Sequence, residues 1–124
     1  LAHKKIREWW KFGMSENLEN QELIGEKYQG IRPASGYPSQ PDHTEKDTIW
    51  DLMSVQERIR LELTESRAMN PGCSVSGLYF SNPNARYFNV GSLGRDQVED
   101  YARRKKWPRE KALKWLRPNL GFDA

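Results

Sequence analysis

Cysteine and histidine are almost missing from this chain: Cys73 is its one thiol, and its two histidines, His3 and His43, stand far apart. A single thiol closes no disulfide within the chain, and without a Cys/His cluster no bound metal is expected. Long apolar runs are missing as well. No stretch approaches the roughly 20 residues that cross a bilayer, and the opening LAHKKIREWWKF lacks the apolar centre of a secretion signal. A soluble, cytoplasmic protein without a membrane partner is therefore expected. Neither charge sign dominates: the formal net charge of +3 is too small to imply nucleic acid by itself. No serine, cysteine or aspartate sits in a nucleophile motif.

What is present argues for folding. Charged residues make up 30% of the chain and apolar ones only 36%, a balance that would suit disorder were it not for five Trp, five Tyr and four Phe. The 124 residues fit one domain or a piece of one. Because Leu1 replaces an initiating methionine and the helical pattern starts without a lead-in, excision from a longer protein is expected.

Periodicity supplies the elements. Ile6, Trp9 and Trp10 form a helical stripe over 3–12 that ends near Gly13. Leu23, Ile24 and Tyr28, with Gly30 behind them, predict a second helix over 20–28. Asp42 to Glu45 outline a capping box ahead of Ile49, Trp50, Leu52 and Met53, predicting a helix over 42–53, with a further turn at 54–59. Leu61 to Thr64 alternates as a short strand, and Asn70-Pro71-Gly72 is a turn signal. The segments 74–80 and 85–90 flank Ser81-Asn-Pro-Asn84 and predict an antiparallel hairpin, in which Gly77 leaves room for a close approach. Helices are expected over 97–105 and 108–116, joined near Trp107-Pro108. Without repeated strand-helix units, this order implies an α+β fold, an antiparallel sheet with flanking helices.

The chemistry concentrates in one loop. GIRPASGYPSQPDHTEK, residues 30–46, holds three prolines and two glycines. Pro33 and Pro38 restrict Arg32 and Tyr37 to extended conformations, while Gly36 admits geometries closed to other residues. Such a loop presents a guanidinium for a carboxylate and a ring to cover a flat ligand; a packed connecting loop is the alternative. Tyr87 and Phe88 would point to opposite faces of a strand, one into the core and the other toward a pocket. Asp42 and His43 could form an acid/base pair, but capping accounts for Asp42. Arg103 to Lys106, beside Trp107, reads as a solvated helix end or as a docking surface for an acidic protein.

Taken together, EKYQGIRPASGYPSQPDHTEK, LTESRAM, SVSGLYFSN, RDQVEDYARRK and the tail WLRPNLGFDA resemble the C-terminal S-adenosylmethionine-binding reactivation (activation) domain of cobalamin-dependent methionine synthase. The resemblance implies that residues 1–124 are the C-terminal part of that domain, without the upstream part that adds an acidic ligand contact. It implies an S-adenosylmethionine site: Arg32 on the methionine carboxylate, Glu26 near its amino group, Ala34 offering backbone hydrogen bonds by the adenine, Tyr37 where ligand faces corrin, and Tyr87 and Phe88 at the nucleoside end. No catalytic residue is implied. Cobalamin would be held mainly by another domain, the cobalamin-binding domain, with flavodoxin or a flavoprotein reductase as electron donor. The enzyme is a methyltransferase acting on homocysteine in methionine biosynthesis, and the fragment alone is expected to be non-catalytic. Ser35 stands where the family usually carries proline, Phe88 where it often carries tyrosine, and Cys73, expected as a buried structural thiol, where small residues are usual. A docking or nucleic-acid-binding module using Arg103 to Trp107 is the competing reading; no nucleic acid is expected under the first.

Overall fold

A computed structural model describes residues 2–11 and 13–123, the side chain of His3 excepted. The chain divides into two compact units, one of Leu1–Pro33 with Gly77–Tyr87, the other of Ala34–Ser76 with Phe88–Ala124.

The first unit holds α1 (Ala2–Trp9) and α2 (Asn20–Ile24). Its organising residue is Arg7, which is buried and ion-paired to Glu16. Burying a guanidinium is costly unless a carboxylate answers it, and Glu16 also accepts the Gln29 N–H at 2.6 Å. The Arg7 guanidinium lies 5.6 Å from the centre of the Tyr28 ring, a distance at which the ring face attracts a cation. Trp9 and Trp10 of the helical stripe are 69% and 55% exposed; the buried Arg7 takes the inward face of α1. The second helix is shorter than its periodicity predicts, because the chain turns left-handed at Glu26 (φ 55°), and that conformation cannot continue an α-helix.

The second unit holds α3 (Glu45–Met53), α4 (Val55–Ile59), β1 (Glu62–Leu63), β2 (Met69–Asn70), α5 (Arg95–Lys105), α6 (Arg109–Leu116) and a 3-10 turn at Arg117–Asn119. Val98 and Ala102 lie one turn apart on α5, and Ala112 and Leu116 one turn apart on α6, so each pair faces one way. These four are the buried core, rimmed by Leu93, Tyr101, Trp107, Leu113, Leu120 and Phe122. Tyr101 and Trp107 meet edge to face at 6.2 Å. The α5 start is capped by Gln97, whose Oε1 accepts the Gly94 N–H at 2.8 Å, and its end turns left-handed at Lys106. The tail folds back: Leu93 donates to the Asn119 carbonyl at 2.7 Å, and Gly121 donates to that of Leu93 at 3.0 Å.

The fold class is the expected one, helices with a small antiparallel sheet; one strand falls within the expected 61–64, but its partner is not in the predicted hairpin. The sheet pairs Glu62 with Asn70 and Leu63 with Met69. The predicted hairpin of 74–80 and 85–90 forms no ladder among the described residues. Its first arm bonds the proline loop instead: Phe80 exchanges two backbone hydrogen bonds with Ile31, and Leu78 donates to the Pro33 carbonyl at 2.9 Å. In the second unit, Val90 donates to the Pro38 carbonyl at 2.9 Å. Prolines have no N–H but keep a full acceptor, so the loop competes for both arms.

The helix predicted over 42–53 begins later, at Glu45, and the outlined capping box is not made. Asp42 accepts from the Thr44 N–H at 2.7 Å and its hydroxyl at 2.8 Å, while α5 draws in the Glu45 carboxylate through Lys105 at 2.6 Å. Cys73 is exposed rather than buried.

Candidate functional site

The loop that carries Arg32 and Tyr37 is shaped by its own backbone. Gly36 takes φ +91°, a conformation that costs a side-chain-bearing residue. Its N–H donates to the Gln40 carbonyl at 2.8 Å, that of Tyr37 to Ala34 at 3.2 Å, and that of Gln40 back to Tyr37 at 2.9 Å. The result is a tight turn that projects the Tyr37 ring, 65% exposed. Ser35 is buried in the same turn, and its hydroxyl has no hydrogen-bond partner among the described residues.

Under that turn sits His43. A Cβ added at Gly36 would lie 2.1 Å from the His43 ring, so the imidazole occupies space that a residue larger than glycine would need. The ring's Nδ1 is 2.9 Å from the Lys46 ammonium, which also donates to the Arg67 carbonyl at 2.9 Å. Lys46 is buried. Burial lowers its pKa, and burial followed by the Lys46 charge lowers that of His43. Both shifts follow from the cost of a charge out of water.

In the first unit Arg32 is exposed, and its guanidinium makes no ion pair among the described residues. Its backbone is held: the N–H donates to the Tyr87 hydroxyl at 2.9 Å. Tyr87 in turn is hydrogen-bonded to Tyr28, and burial together with that bond pushes the Tyr28 phenol up to about 12. Glu26 is exposed and has no side-chain bond among the described residues.

The candidate residues therefore divide between the units. Glu26, Arg32 and Tyr87 belong to the first, with Arg32 and Tyr87 joined directly; Ala34, Tyr37 and Phe88 belong to the second. Neither member of the Tyr87-Phe88 pair enters the core, since they are 36% and 62% exposed; without a strand there, no alternation forces one inward. Sequence reasoning missed Tyr28, His43 and Lys46 as parts of these arrangements. Tyr28 looked like one more apolar position of a helix, and Lys46 drew no separate reading.

Asp42 and His43 are not an acid/base pair. Besides Thr44, Asp42 takes the Tyr101 hydroxyl at 2.5 Å, and burial followed by that bond pushes the Tyr101 pKa upward. The basic run is largely answered within its own unit. Arg103 and Arg104 both pair with Asp100, and Lys105 with Glu45. A cleft of about 630 Å³ in this unit is lined by Asp42, Glu45, Asp96, Asp100, Tyr101 and Arg104 among others, and by none of the candidate residues.

Comparison with known proteins decides the affiliation. Residues 1–106 match the sequence model of the family described as vitamin B12 dependent methionine synthase, activation domain. The chain belongs to this family. Its structure is similar to a crystal structure of the MetH reactivation domain bound to AdoHcy, with a TM-score of 0.90 and 54% identity over 98% of the chain. The chain spans 38% of the length of that solved relative. The activation-domain affiliation thus rests on most of the sequence and on nearly every described residue.

Proposed function

We propose that this chain is the C-terminal part of an activation domain that binds S-adenosylmethionine and presents its methyl group to the cobalamin of methionine synthase. AdoHcy, which the similar crystal structure contains, is S-adenosylmethionine without its transferable methyl. The observation that carries the reading here is Arg32, an exposed guanidinium without an ion pair among the described residues, on a backbone fixed by Tyr87. A charge-assisted fork of this kind suits an amino-acid carboxylate.

The remaining candidates fit the same ligand. Glu26 supplies a carboxylate for the ligand's ammonium, the Ala34 backbone serves the adenine, and the exposed rings of Tyr37, Tyr87 and Phe88 cover the nucleoside and sulfonium. When bound by its own domain, reduced cobalt supplies the nucleophile for the methyl. The residues of this chain bind and orient, which raises the rate through proximity rather than through proton transfer. The fragment itself is not catalytic. Its partners are the cobalamin-binding domain and an electron donor of the flavodoxin or flavoprotein reductase type, in the cytoplasm.

The test is calorimetric titration of S-adenosylmethionine and AdoHcy into the methionine synthase that contains this chain. Arg32→Ala is expected to weaken both by about 10- to 100-fold, since a hydrogen-bonded charge contributes about 1.5–3 kcal/mol. Unchanged affinity removes Arg32 from the site. The alternative of a docking or nucleic-acid module is weakened by the pairing of Arg103, Arg104 and Lys105 with acids of the same unit; nanomolar RNA or DNA affinity at physiological salt, insensitive to Arg32→Ala, would restore it.

A further inference from the structure

We propose that His43 is the positioning residue of the Tyr37 turn: a neutral imidazole, protonated on Nε2, wedged beneath Gly36 and fixed by Lys46, holds the turn in its ligand-ready shape and releases it when protonated. The proposal deepens the reading of this loop as the S-adenosylmethionine site and rests on that reading for its binding arm only.

Three observations carry it, all within the second unit. The first is steric: the imidazole fills the position a Gly36 Cβ would take, so ring and turn cannot move independently. The second is the tautomer. Lys46 Nζ has only protons to offer, so at 2.9 Å from Nδ1 it fixes Nδ1 as acceptor and leaves the imidazole proton on Nε2. The third is charge. Lys46 is buried and makes no ion pair among the described residues, its acceptors being an imidazole nitrogen and the Arg67 carbonyl.

The surrounding groups set the direction of the pH response. Asp42 favours a charged His43 but is already engaged by Thr44 and Tyr101. The neighbouring Glu45 is paired with Lys105, and the Arg67 guanidinium with Asp47. The close unanswered charge facing the ring is thus the Lys46 ammonium. Protonating His43 removes the acceptor from Lys46 and sets two cations side by side, so the ring leaves its seat and the Gly36–Tyr37 turn loses its support.

The test has a ligand-free arm and a binding arm. Nitrogen-resolved NMR of the imidazole is expected to show the Nε2-protonated tautomer at pH 7.5, and titration below the ordinary histidine value of about 6.5, with the Tyr37 amide shifting along the same curve. In calorimetry with AdoHcy, wild-type affinity is expected to fall by up to about tenfold for each pH unit below the folded pKa. His43→Gln keeps an acceptor for Lys46 and cannot titrate, so, whatever its affinity at pH 7.5, it is expected to lose the acid-side fall. A proton on Nδ1, a Tyr37 amide indifferent to the His43 titration, or the same acid-side loss in His43→Gln overturns the proposal. Absence of AdoHcy binding at every pH overturns the nucleotide reading instead, while the ligand-free arm still judges His43.

Discussion

The hydroxyl of Tyr87 accepts the backbone N–H of Arg32 at 2.9 Å, across a sequence separation of 55 residues. A phenol oxygen thereby fixes the peptide from which the guanidinium projects, so a chain segment distant in sequence holds the Arg32 backbone. Tyr87→Phe leaves that N–H without its partner. It is expected to weaken AdoHcy binding by about 3- to 10-fold, in line with a net hydrogen-bond contribution of about 0.5–1.5 kcal/mol. The check is calorimetry beside Arg32→Ala: if the two act through one another, the double substitution loses less than the sum of the singles.

Alkaline pH should destabilise the first unit through the Tyr28 phenol. The Tyr28 phenol is pushed up to about 12 by burial first and by Tyr87 second, against an ordinary value near 10. A raised folded-state pKa means that this contribution to stability is fully present below about pH 10 and is lost as pH rises through about 12. Denaturant midpoints between pH 8 and 11.5 should decline above pH 10, and the decline should flatten in Tyr28→Phe.

The α5–α6 core should dominate the stability of the second unit. Leu116 is 3% exposed and packs with Val98, Ala102 and Ala112. Leu116→Ala is expected to cost about 3 kcal/mol from lost transfer and an unfilled cavity, read as a lowered denaturant midpoint without a change of slope.

Cys73 should react in the native state. It is exposed, so iodoacetamide or a chromogenic disulfide is expected to modify it in the absence of denaturant at a rate close to that of a free thiol. Protection that disappears only on unfolding would contradict its placement.

Helices with strong local signals were legible. The α5 and α6 spans lie close to the helices expected over 97–105 and 108–116 with Pro108 at a first turn, and the rigid turn around Tyr37 follows from Pro33, Gly36 and Pro38. The missing hairpin was not legible, because alternation in 74–80 records extended backbone but not which carbonyls the N–H groups will find. The same limit hid the Asp42–Tyr101 bond, which joins residues 59 positions apart, and the place of His43, which depends on the space left by a glycine. The candidate residues come from the family's motifs, whereas the groups that hold the Arg32 backbone and the Tyr37 turn come from tertiary contacts.

The two proline carbonyls of the loop have one more effect. At Pro33 and Pro38 the oxygens are already engaged by Leu78 and Val90, and neither residue has an N–H to offer. An extended segment from a second molecule meets no complementary row of donors and acceptors at those positions. A loop that leaves the Tyr37 ring open to solvent is thereby protected from becoming the seed of intermolecular strand addition.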